Sequence, residues 1–337
     1  MLRRLPSVLS HALPHALPPV LPPVLRPLLR PILLLALLGA LASLPLWAPR
    51  FWIYVGTQAL IFAIFAMSLD LLLGYAGMAS FGHAAFYGIG AYACAELTLH
   101  HQVDLVPLLI GGAVAAALAA IPIGALALRS TGIYFLMLTL AFAQMLWGLA
   151  VNWTAVTRGT DGLIGIPRPD LPGLDHFDFT FAERGPFYLL VLIVAAICFL
   201  ILDALVRSPF GRTLEGIREN EPRMRALGYP TFRYRLGAFV AAAAVAGIAG
   251  ALAAMNNGYA TPDLLYWTVS GLVLVAVVIG GARSLIGPAL GAFFVLIVQL
   301  IISSYTERWE LILGAVFIGF VLFIPGGLAG LVRRSSS

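Results

Sequence analysis

The sequence is poor in charged residues. Of its 337 residues only 10% are charged, while 61% are hydrophobic and the mean hydropathy is +0.97. An ordinary soluble domain has roughly a quarter charged residues and about half apolar ones. A water-soluble fold of this composition would expose larger apolar patches than a monomer tolerates. The composition therefore excludes a soluble globular enzyme, a disordered chain and a secreted disulfide scaffold, and it predicts a protein that lies mostly in lipid.

Lysine is absent, and all 20 basic residues are arginine. A Walker A phosphate loop needs Gly-Lys-Ser/Thr, and Schiff-base or pyridoxal chemistry needs an amine nucleophile. Both are excluded, so any ATP that drives this protein must be bound by another chain. Cysteine is also scarce, because the only two are Cys94 and Cys198. Both lie in apolar runs and are predicted to be small buried hydrophobic residues rather than a redox or metal pair.

Long apolar runs dominate what is present. A membrane-spanning helix needs about 20 mostly apolar residues. Ten stretches are predicted to span: 32–48, 52–73, 79–99, 105–128, 132–152, 187–206, 236–256, 267–282, 285–304 and 310–327. The glycine-rich stretch 74–92 could be broken or re-entrant, which requires that protein or a water-filled cavity cover its backbone. The predicted fold class is an all-α membrane protein, a polytopic bundle of about ten transmembrane helices.

The arginines test this topology independently. Cytoplasmic segments of membrane proteins carry an excess of positive charge. With the N-terminus inside, 15 arginines fall on the cytoplasmic side and five on the outer side. The five outer ones are Arg50, Arg158, Arg168, Arg184 and Arg308. One span more or fewer in mid-chain would scramble this segregation, so the sequence predicts ten spans with both termini cytoplasmic.

The sequence divides into a tail, a membrane domain and a second short tail. Residues 1–31 are rich in proline and leucine, and proline this dense prevents a helix. They are predicted to form an extended cytoplasmic tail, with a cleavable signal peptide ending near 40–42, or a stretch preceding the true translation start, as the alternatives. Residues 32–331 form the transmembrane domain, and 332–337 a cytoplasmic tail. The outer loop 153–186 is either a solvated loop or a docking surface for an external protein.

The cytoplasmic loop 207–235 holds the densest group of polar residues. Ser208 followed by Pro209 predicts a helix start, and Gly228 followed by Pro230 predicts a helix stop. Pro222 is expected to bend the helix or to split it into two. An apolar face is formed by Leu214, Ile217, Met224 and Leu227. The loop could lie on lipid headgroups, but its mixture of glutamate and arginine favours a protein partner.

Small and polar residues share several spans. Because lipid supplies no hydrophobic drive between helices, close packing depends on small residues. The predicted packing residues are Gly82, Gly88, Gly247, Gly250, Gly287 and Gly291, and the candidate translocation pathway consists of Ser80, His83, Tyr87 and Ser284. His83 could contact substrate or could be a packing histidine bonded to the backbone. Ser80 and His83 lack a third orienting group and are a weak pair for an intramembrane serine hydrolase.

The positions of the acidic residues within the spans distinguish between two transport mechanisms. A carrier coupled to protons or sodium usually places Asp or Glu near the bilayer midplane. Here Asp70, Glu96 and Asp203 lie toward the ends of spans. This arrangement favours energy delivered mechanically by a partner over an ion gradient. No metal site is predicted, since His100, His101 and Asp104 at an outer turn are expected to solvate a helix end.

Three stretches carry a resemblance to a known family. The cytoplasmic loop and the following helix (208–252) read SPFGRTLEGIRENEPRMRALGYPTFRYRLGAFVAAAAVAGIAGAL, and they resemble the ATPase-coupling loop and next helix of branched-chain amino-acid ABC transporter permeases of the LivM type. The stretches GYAGMASFGHAAFYGIGAYACAEL (74–97) and VVIGGARSLIGPALGAFF (277–294) resemble the same family. The most specific part is Arg218–Gly228, in which this sequence has Pro222-Arg223-Met224 where family members often carry Ala or Ile.

The resemblance implies the all-helical permease subunit of an ATP-driven importer in the bacterial inner membrane, with no catalytic activity and no cofactor of its own. Two permease chains, usually different, would enclose a pathway through the lipid bilayer, and no nucleic acid is expected as a partner. Two ATPase subunits would bind the cytoplasmic loops, and an external binding protein would deliver leucine, isoleucine or valine. The coupling residues would be Arg212, Glu215, Arg218, Glu219, Asn220, Glu221, Arg225 and Gly228.

Two other functions remain open at this point. Permeases for urea or a short amide are similar in the same stretches, so the substrate class has an alternative within the family. An ion-coupled secondary carrier is the alternative from another class, and an intramembrane enzyme is a more distant one.

Overall fold

The computed structural model describes residues 38–101, 104–168, 184–306, 308–323 and 326–334. The chain divides into two compact units, Met1–Trp47 and Ala48–Ser337. In the first unit the described residues form the short apolar helix α1, Leu38–Trp47. The predicted tail 1–31, the beginning of the first predicted span, the middle of the outer loop and residues 335–337 lie outside the described residues.

The second unit is helical apart from one short strand pair. β1 (Leu163–Ile164) pairs antiparallel with β2 (Tyr259–Ala260), with Leu163 opposite Ala260. The helices are α2 (Arg50–Asp70), α3 (His83–His101), α4 (Leu105–Ala127), α5 (Ile133–Asn152), α6 (Thr154–Thr157), α7 (Arg184–Arg207), α8 (Pro209–Glu219), α9 (Glu221–Ala226), α10 (Thr231–Asn257), α11 (Trp267–Gly280), α12 (Ile286–Ser303), α13 (Trp309–Phe323) and α14 (Gly327–Arg334).

Seven helices in the described part of the chain are long and apolar enough to cross a membrane. They are Arg50–Tyr75, Leu105–Ala127, Ile133–Asn152, Gly185–Arg207, Thr231–Asn257, Ile286–Ser303 and Trp309–Gly330. The all-α, polytopic architecture predicted from composition is therefore confirmed, but the count of about ten spans is not. Of the other predicted spans, 79–99 and 267–282 do not meet the criterion, and 32–48 lies partly outside the described residues.

The predicted span 267–282 is shorter than expected. α11 has 14 residues, a length of about 21 Å, whereas a bilayer core is about 30 Å thick. The chain reaches α11 through β2 and a 3₁₀ turn, Pro262–Leu265, which packs against Gly88 of α3. The chain before α11 is therefore non-helical, with Ala260 and Leu265 buried, a form that sequence hydropathy does not distinguish from a complete helix.

The predicted span 79–99 begins late, since helix α3 starts only at His83 and residues 76–82 are not helical. Side chains satisfy the backbone at this helix start. The Ser80 hydroxyl accepts a hydrogen bond from Gly82 N at 3.1 Å, and the Ser270 hydroxyl accepts one from Ala84 N at 2.8 Å. The helix is therefore interrupted in the glycine-rich stretch 74–92, which is one of the two forms that the sequence predicts for it.

Helices α2 and α10 form the centre of the bundle. Both are mostly buried, whereas α5, α12 and α13 expose most of their apolar surface. α10 packs tightly against α3 and α4 because glycines remove the intervening side chains. A Cβ on Gly247 would overlap Gly112 O of α4, and a Cβ on Gly250 would overlap Tyr87 O of α3. Such close backbone contact replaces the hydrophobic drive that lipid does not supply.

The two ends of the bundle differ. At one end, the side chain of Gln58 near the start of α2 donates to Asn257 Oδ1 at the end of α10 with a distance of 2.7 Å, and the β1–β2 pair lies next to it. At the other end, the last residues of α2 meet the connection between α11 and α12 and the helices α8 and α9. The helices α8 and α9 and the connection that carries Arg283 lie at this second end.

A first prediction concerns the close contact at Gly250. Gly250→Ala should lower the unfolding temperature of the purified protein in detergent, because its Cβ meets the rigid backbone oxygen of Tyr87. Overpacking of this kind costs about 1–3 kcal/mol. Gly148→Ala in α5 is the matched control, because no atom lies within 4 Å of its Cβ position. Equal unfolding temperatures for the two variants would contradict this account of the packing.

Candidate functional site

The cytoplasmic loop of the sequence analysis folds into two short helices, α8 and α9. The Ser208 hydroxyl caps α8 by accepting from Gly211 N, and Pro209 occupies the first turn, so the predicted helix start is confirmed. The chain breaks at Asn220, whose extended backbone (φ −156°, ψ 91°) separates the helices and whose side chain caps α9. Pro222 lies in the first turn of α9, where its missing N–H is not needed. The split therefore falls two residues before the proline.

The second short helix ends where the sequence predicts. α9 ends at Ala226, and Gly228 adopts a left-handed conformation with φ +86°. Tyr229 N then donates to Met224 O at 3.1 Å, which satisfies a carbonyl at the end of the helix. A residue with a Cβ is disfavoured at this φ, so Gly228 is required for the turn that leads into α10.

Arg218 fastens α8 to the end of α2. The helix α2 finishes in a π-helical turn, Leu71–Tyr75, and the Arg218 guanidinium donates to Gly74 O in that turn. The last carbonyls of a helix lack partners within the helix, and an arginine is a favourable donor for them. A Cβ on Gly77 would lie 2.7 Å from Arg218 Cγ, so the arginine stem rests directly on this backbone.

The buried side chain of Asp70 holds the connection between α11 and α12. Its Oδ1 accepts from Arg283 N at 2.9 Å, and its Oδ2 accepts from Leu285 N at 3.3 Å. Arg283 and Leu285 both have positive φ, 73° and 51°, which is costly for residues with a side chain. The two hydrogen bonds to a carboxylate offset that cost and fix the shape of the connection.

We call the group Asp70, Gly74, Glu215, Arg218 and Arg283 the loop junction. Its remaining contact is a 3.9 Å ion pair between Arg283 Nη2 and Glu215 Oε1. Both side chains are partly exposed, at 48% and 39%, so this pair contributes at most about 1 kcal/mol. The loop junction therefore depends on Arg218 and Asp70, which bind backbone, and it joins α8 to two separate membrane segments.

Glu221 provides a second attachment, between α9 and α10. Its carboxylate accepts from Arg225 at 2.7 Å and from the Thr231 hydroxyl at 3.1 Å, and it pairs with Arg235 at 3.3 Å. Arg235 is only 7% exposed and also contacts the sulfur of Met78. Burial raises the pKa of Glu221, but the hydrogen bond from Arg225, the charge of Arg235 and the Thr231 hydroxyl outweigh it, and the pKa lies below its ordinary value.

The outward side of the two helices is open. Leu214 and Ile217 of the predicted apolar face are buried against the bundle, whereas Leu227 is 66% exposed. Tyr229 and Phe232 beside it are also exposed. The predicted coupling residues Arg212, Glu219 and Asn220 are exposed as well. The structure thus separates the sequence-predicted set into inward residues that bind the bundle and an outward surface of mixed apolar and charged character.

The four candidate pathway residues lie near the same end of the bundle. Ser80 and His83 are fully buried, and Tyr87 is 7% exposed and packs on the ring of Phe65 with centroids 4.7 Å apart. Ser284 caps α12 by accepting from Gly287 N at 2.9 Å. None of the four lines the cavity of about 290 Å³ between α3 and α5.

His83 pairs with a serine, but not with Ser80. Its Nε2 lies 2.8 Å from Ser68 Oγ, and its ring stacks on Phe65 with centroids 5.3 Å apart. Because the Ser68 hydroxyl donates to Phe65 O, we assign the proton of this hydrogen bond to His83 Nε2. A histidine that donates through Nε2 to Ser68 is not positioned to activate Ser80.

The six predicted packing glycines each face a neighbouring segment at a distance that excludes a side chain. Gly82 lies against Thr139 O and Gly88 against the Leu265 side chain, while Gly291 lies against Ala276 O. Gly287 faces the connection at Ser284, and Gly247 and Gly250 make the central contacts described above. Gly112 of α4 completes the central contact, although the sequence analysis did not single it out.

Two residues of the site were missed by sequence reasoning. Asp70 was noted only as an acid near the end of a span, and Arg235 only as one of many cytoplasmic arginines. The single carboxylate after a fully apolar run was a usable signal for Asp70, because such a group must find donors when buried. Its donors are backbone N–H groups more than 200 residues away in the sequence, and no local pattern could have identified them.

At the end of the bundle opposite the loop junction, as elsewhere in the described residues, no group of three His, Cys, Asp or Glu side chains could hold a metal ion. His100 Nδ1 lies 3.2 Å from Glu96 Oε1. The first part of the outer loop is packed rather than simply solvated. Leu163 and Ile166 are buried, and Ile166 N donates to Gly258 O at 3.0 Å.

This arrangement defines a class of protein. A multi-pass helical membrane bundle presents two short charged helices at one end, and those helices are attached to the bundle at three places, on α2, on α10 and on the connection before α12. The exposed surface and the attachments suit a membrane permease that is moved by another protein.

The chain belongs to the family described as "Branched-chain amino acid transport system / permease component", whose profile matches residues 52–324. This is a family of transport permeases, not of enzymes. The chain is 30% identical over 308 residues to the high-affinity branched-chain amino acid transport system permease protein LivM of Escherichia coli K12, covering 86% of this chain and 72% of that protein.

More distant relatives fall in the same group. The probable LivM permease of Methanocaldococcus jannaschii is 28% identical over 173 residues, or 48% of each chain. The LivH permease of Escherichia coli K12 is 25% identical over 288 residues, which is 80% of this chain and 91% of LivH. No solved structure matches the chain. The family resemblance seen in the sequence is confirmed.

A second prediction concerns the pH dependence of the Glu221 attachment. A carboxylate whose folded-state pKa is lowered stabilises the fold fully above its unfolded-state pKa, about 4.3, and this contribution is lost as the pH falls through the folded-state pKa. Glu221→Gln should therefore lower the unfolding temperature at pH 7, and the difference from the wild-type protein should shrink at acid pH.

The measurement is thermal unfolding in detergent from about pH 7 to about pH 3. Glu215→Gln is the control, because its ion pair is long and exposed and should contribute little at any pH. A difference between Glu221→Gln and wild type that stays constant over the whole range would show that the carboxylate charge is not what holds α9 to α10.

Proposed function

We propose that this chain is the permease subunit of an ATP-binding-cassette importer that moves leucine, isoleucine or valine across the inner membrane of a bacterium. Separate ATPase subunits drive it, and an external binding protein delivers the amino acid. The observation that carries the proposal is the attachment of α8 and α9 to three membrane segments, combined with membership of a branched-chain amino acid permease family.

The outward surface of α8, α9 and the turn after them suits an ATPase. Leu227, Tyr229 and Phe232 expose apolar rings and side chains next to the exposed charges of Glu219 and Arg223. An interface typically has an apolar centre and a polar rim, and the alternating charges fix its register. The arginines of α8, α9 and the α11–α12 connection support the proposal that this end lies in the cytoplasm, by the positive-inside rule, and both chain termini are proposed to lie on the same side.

The inward contacts of α8 and α9 connect the proposed ATPase surface to the membrane helices. A push on α8 reaches the end of α2 through Arg218 and the α11–α12 connection through Glu215, and a push on α9 reaches α10 through Glu221. α2 and α10 are the central helices of the bundle, so displacement of α8 and α9 changes the centre of the protein rather than its periphery. Packed helices shift as rigid bodies. A displacement of α8 or α9 is therefore transmitted to a membrane helix through the charged side chains that join them.

The partner permease is proposed to be a different chain. Relatives named LivM and LivH, both described as permeases of one high-affinity branched-chain system, match this sequence. α5, α12 and α13 expose long apolar surfaces that lipid or a second permease would cover. The buried carboxylate Asp70 does not support coupling to an ion gradient, because both of its oxygens are already bound to backbone N–H groups.

A third prediction tests the function as a whole. Proteoliposomes that contain this permease, its partner permease and the ATPases, supplied with the external binding protein, should take up leucine only when ATP is present on the ATPase side. Urea and acetamide should not compete. Uptake driven by a proton or sodium gradient without ATP would refute the importer and identify a carrier, and saturable uptake of urea would refute the substrate.

A fourth prediction tests the coupling contact of Arg218. Arg218→Gln removes the charged donor to Gly74 O and leaves the exposed apolar residues Leu227, Tyr229 and Phe232 unchanged, so the ATPases should still bind and hydrolyse ATP. The leucine transported per ATP should fall about ten-fold, the effect of losing about 1.4 kcal/mol of coupling. Arg207→Gln at the end of α7 is the control, because its exposed pair with Asp203 lies outside α8 and α9.

Two outcomes of this experiment would contradict the proposed role of Arg218. Unchanged leucine per ATP in Arg218→Gln would show that the loop junction does not transmit motion. Loss of ATPase binding in the same variant would show that Arg218 belongs to the docking surface and not to the link with α2.

A further inference from the structure

A side-chain amide lies on the surface of helix α5 near the middle of the membrane. Gln144 belongs to the 20-residue helix Ile133–Asn152. At 1.5 Å per residue it lies about 17 Å from the first residue and about 12 Å from the last, in a bilayer core about 30 Å thick. Gln144 is partly exposed, and its side chain makes no hydrogen bond to any residue that the structure describes. Its amide atoms are not enclosed, so they open to the surroundings of the helix.

The face of α5 that carries Gln144 is uncovered along the helix. Met137, Leu140 and Gly148 share this face, because they are seven or four residues away. Met137 is 59% exposed, Leu140 is partly exposed, and no atom lies within 4 Å of a Cβ built on Gly148. The residues that α5 buries lie on its other side, and they are Phe135, Thr139, Ala143 and Ala150. The described part of this chain therefore leaves the Gln144 face free.

Lipid is an unfavourable neighbour for this amide. A glutamine side chain has two donors and an acceptor, and hydrocarbon supplies a partner to neither. The exposed residues at similar depth in other helices are aliphatic, as Ile197 of α7 and Ile318 of α13 show. A polar group at this depth typically faces the interior of an assembly or a water-filled pathway.

The other side-chain amides of the described spans do not share this position. Gln58 of α2 donates to Asn257 Oδ1 at 2.7 Å, so these two amides bind each other. Gln299 of α12 is partly exposed, but it lies four residues before the end of its helix, within reach of the membrane interface. Gln144 has neither a partner in the described chain nor a short route to the interface.

Aromatic side chains border the Gln144 face on the side of α11. Phe81, in the non-helical stretch before α3, donates through its backbone N to Thr139 Oγ1 of α5 at 3.3 Å, and its ring lies 6.3 Å from the ring of Trp267. Trp147, one turn after the amide, lies 5.3 Å from the ring of Tyr266. Phe81 and Trp267 are both partly accessible. Such a border is suited to a branched aliphatic side chain, which gains free energy in proportion to the apolar area it covers.

The amide is complementary to the polar end of an amino acid. Its carbonyl oxygen accepts a hydrogen bond from an ammonium group, and its NH₂ group donates to a carboxylate. Because the amide carries no net charge, it offers both contacts without a strong ion pair. Passage through a membrane requires such a balance, in which a group binds well enough to admit the ligand and weakly enough to release it.

We infer that the Gln144 face of α5 lines the translocation pathway and that the Gln144 amide contacts the ammonium and carboxylate groups of the amino acid in transit. Phe81 and Trp267 lie beside its aliphatic side chain. The identity of the ligand rests on the proposed function, whereas the water-lined face follows from the position of the amide. In a permease made of two chains the pathway lies between them, and the wall that each contributes is uncovered in the single chain.

The first experiment measures whether water reaches this face. In proteoliposomes that contain the assembled transporter during ATP turnover, Gln144→Cys should react with a small charged methanethiosulfonate at least ten-fold faster than Ile197→Cys. Ile197 is the matched control, because it is 50% exposed and lies in the middle part of α7. The native Cys94 and Cys198 are 0% and 2% exposed, so the wild-type protein gives the background rate.

The second experiment measures contact with the amino acid. Gln144→Leu keeps a side chain of similar size and removes the amide, so it should lower ATP-driven leucine uptake about ten-fold, the effect of losing one hydrogen bond to a charged group. Assembly of the complex, its unfolding temperature and its ATP hydrolysis should not change. Gln144→Asn retains an amide and should import more leucine than Gln144→Leu. Gln299→Leu makes the same substitution near a helix end and should import leucine as the wild type does.

Three outcomes would overturn the role of Gln144 while the wild-type complex still imports leucine, and they leave the proposed function standing. Labelling of Gln144→Cys as slow as that of Ile197→Cys would show that lipid or the second permease covers this face. Normal leucine uptake by Gln144→Leu would show that the amide does not contact the ligand. Loss of complex assembly in Gln144→Leu would show that the amide packs against the second permease. If the wild-type complex imports no branched-chain amino acid, the function and the ligand are both wrong, whatever the labelling shows.

Discussion

The buried carboxylate of Asp70 is the contact on which the loop-junction end of this protein depends. It holds two backbone N–H groups of a connection that would otherwise be strained at Arg283 and Leu285, and it does so from the last turn of the central helix α2. Arg218 then binds Gly74 O one turn later. A single short stretch of α2 thereby joins the α11–α12 connection to the surface helices α8 and α9, and any force on those helices acts on the centre of the bundle.

Lipid imposes the second constraint. Because apolar side chains gain nothing by leaving lipid for protein, the bundle is held by close backbone contact and by satisfied polar groups. Gly247 and Gly250 let α10 touch α3 and α4 at backbone distance. The breaks in the membrane segments obey the same rule, since the chain before α3 and the chain before α11 find hydrogen-bond partners in Ser80, Ser270 and the strand pair.

Helix α3 contacts both central helices. Its first residue, His83, stacks on Phe65 of α2, and its Tyr87 lies against Gly250 of α10. A shift of α10 produced through the Glu221 attachment would therefore also displace α3.

Composition, hydropathy and local signals alone determined the membrane environment, the helical architecture, the ends of α8 and α9 and the family. These features depend on residues close together in the sequence, such as Ser208 with Pro209 or Gly228 with Pro230. Hydropathy did not determine which apolar stretches are complete spans. An apolar stretch can fold as a short strand followed by a 14-residue helix, as β2 and α11 do, and its hydropathy does not distinguish this from one long helix. Only the tertiary structure showed that Asp70 binds Arg283 N, that Glu221 joins α9 to Arg235, and that Arg218 binds Gly74 O. Each of these depends on groups that come together only when helices pack, and no local pattern encodes that proximity.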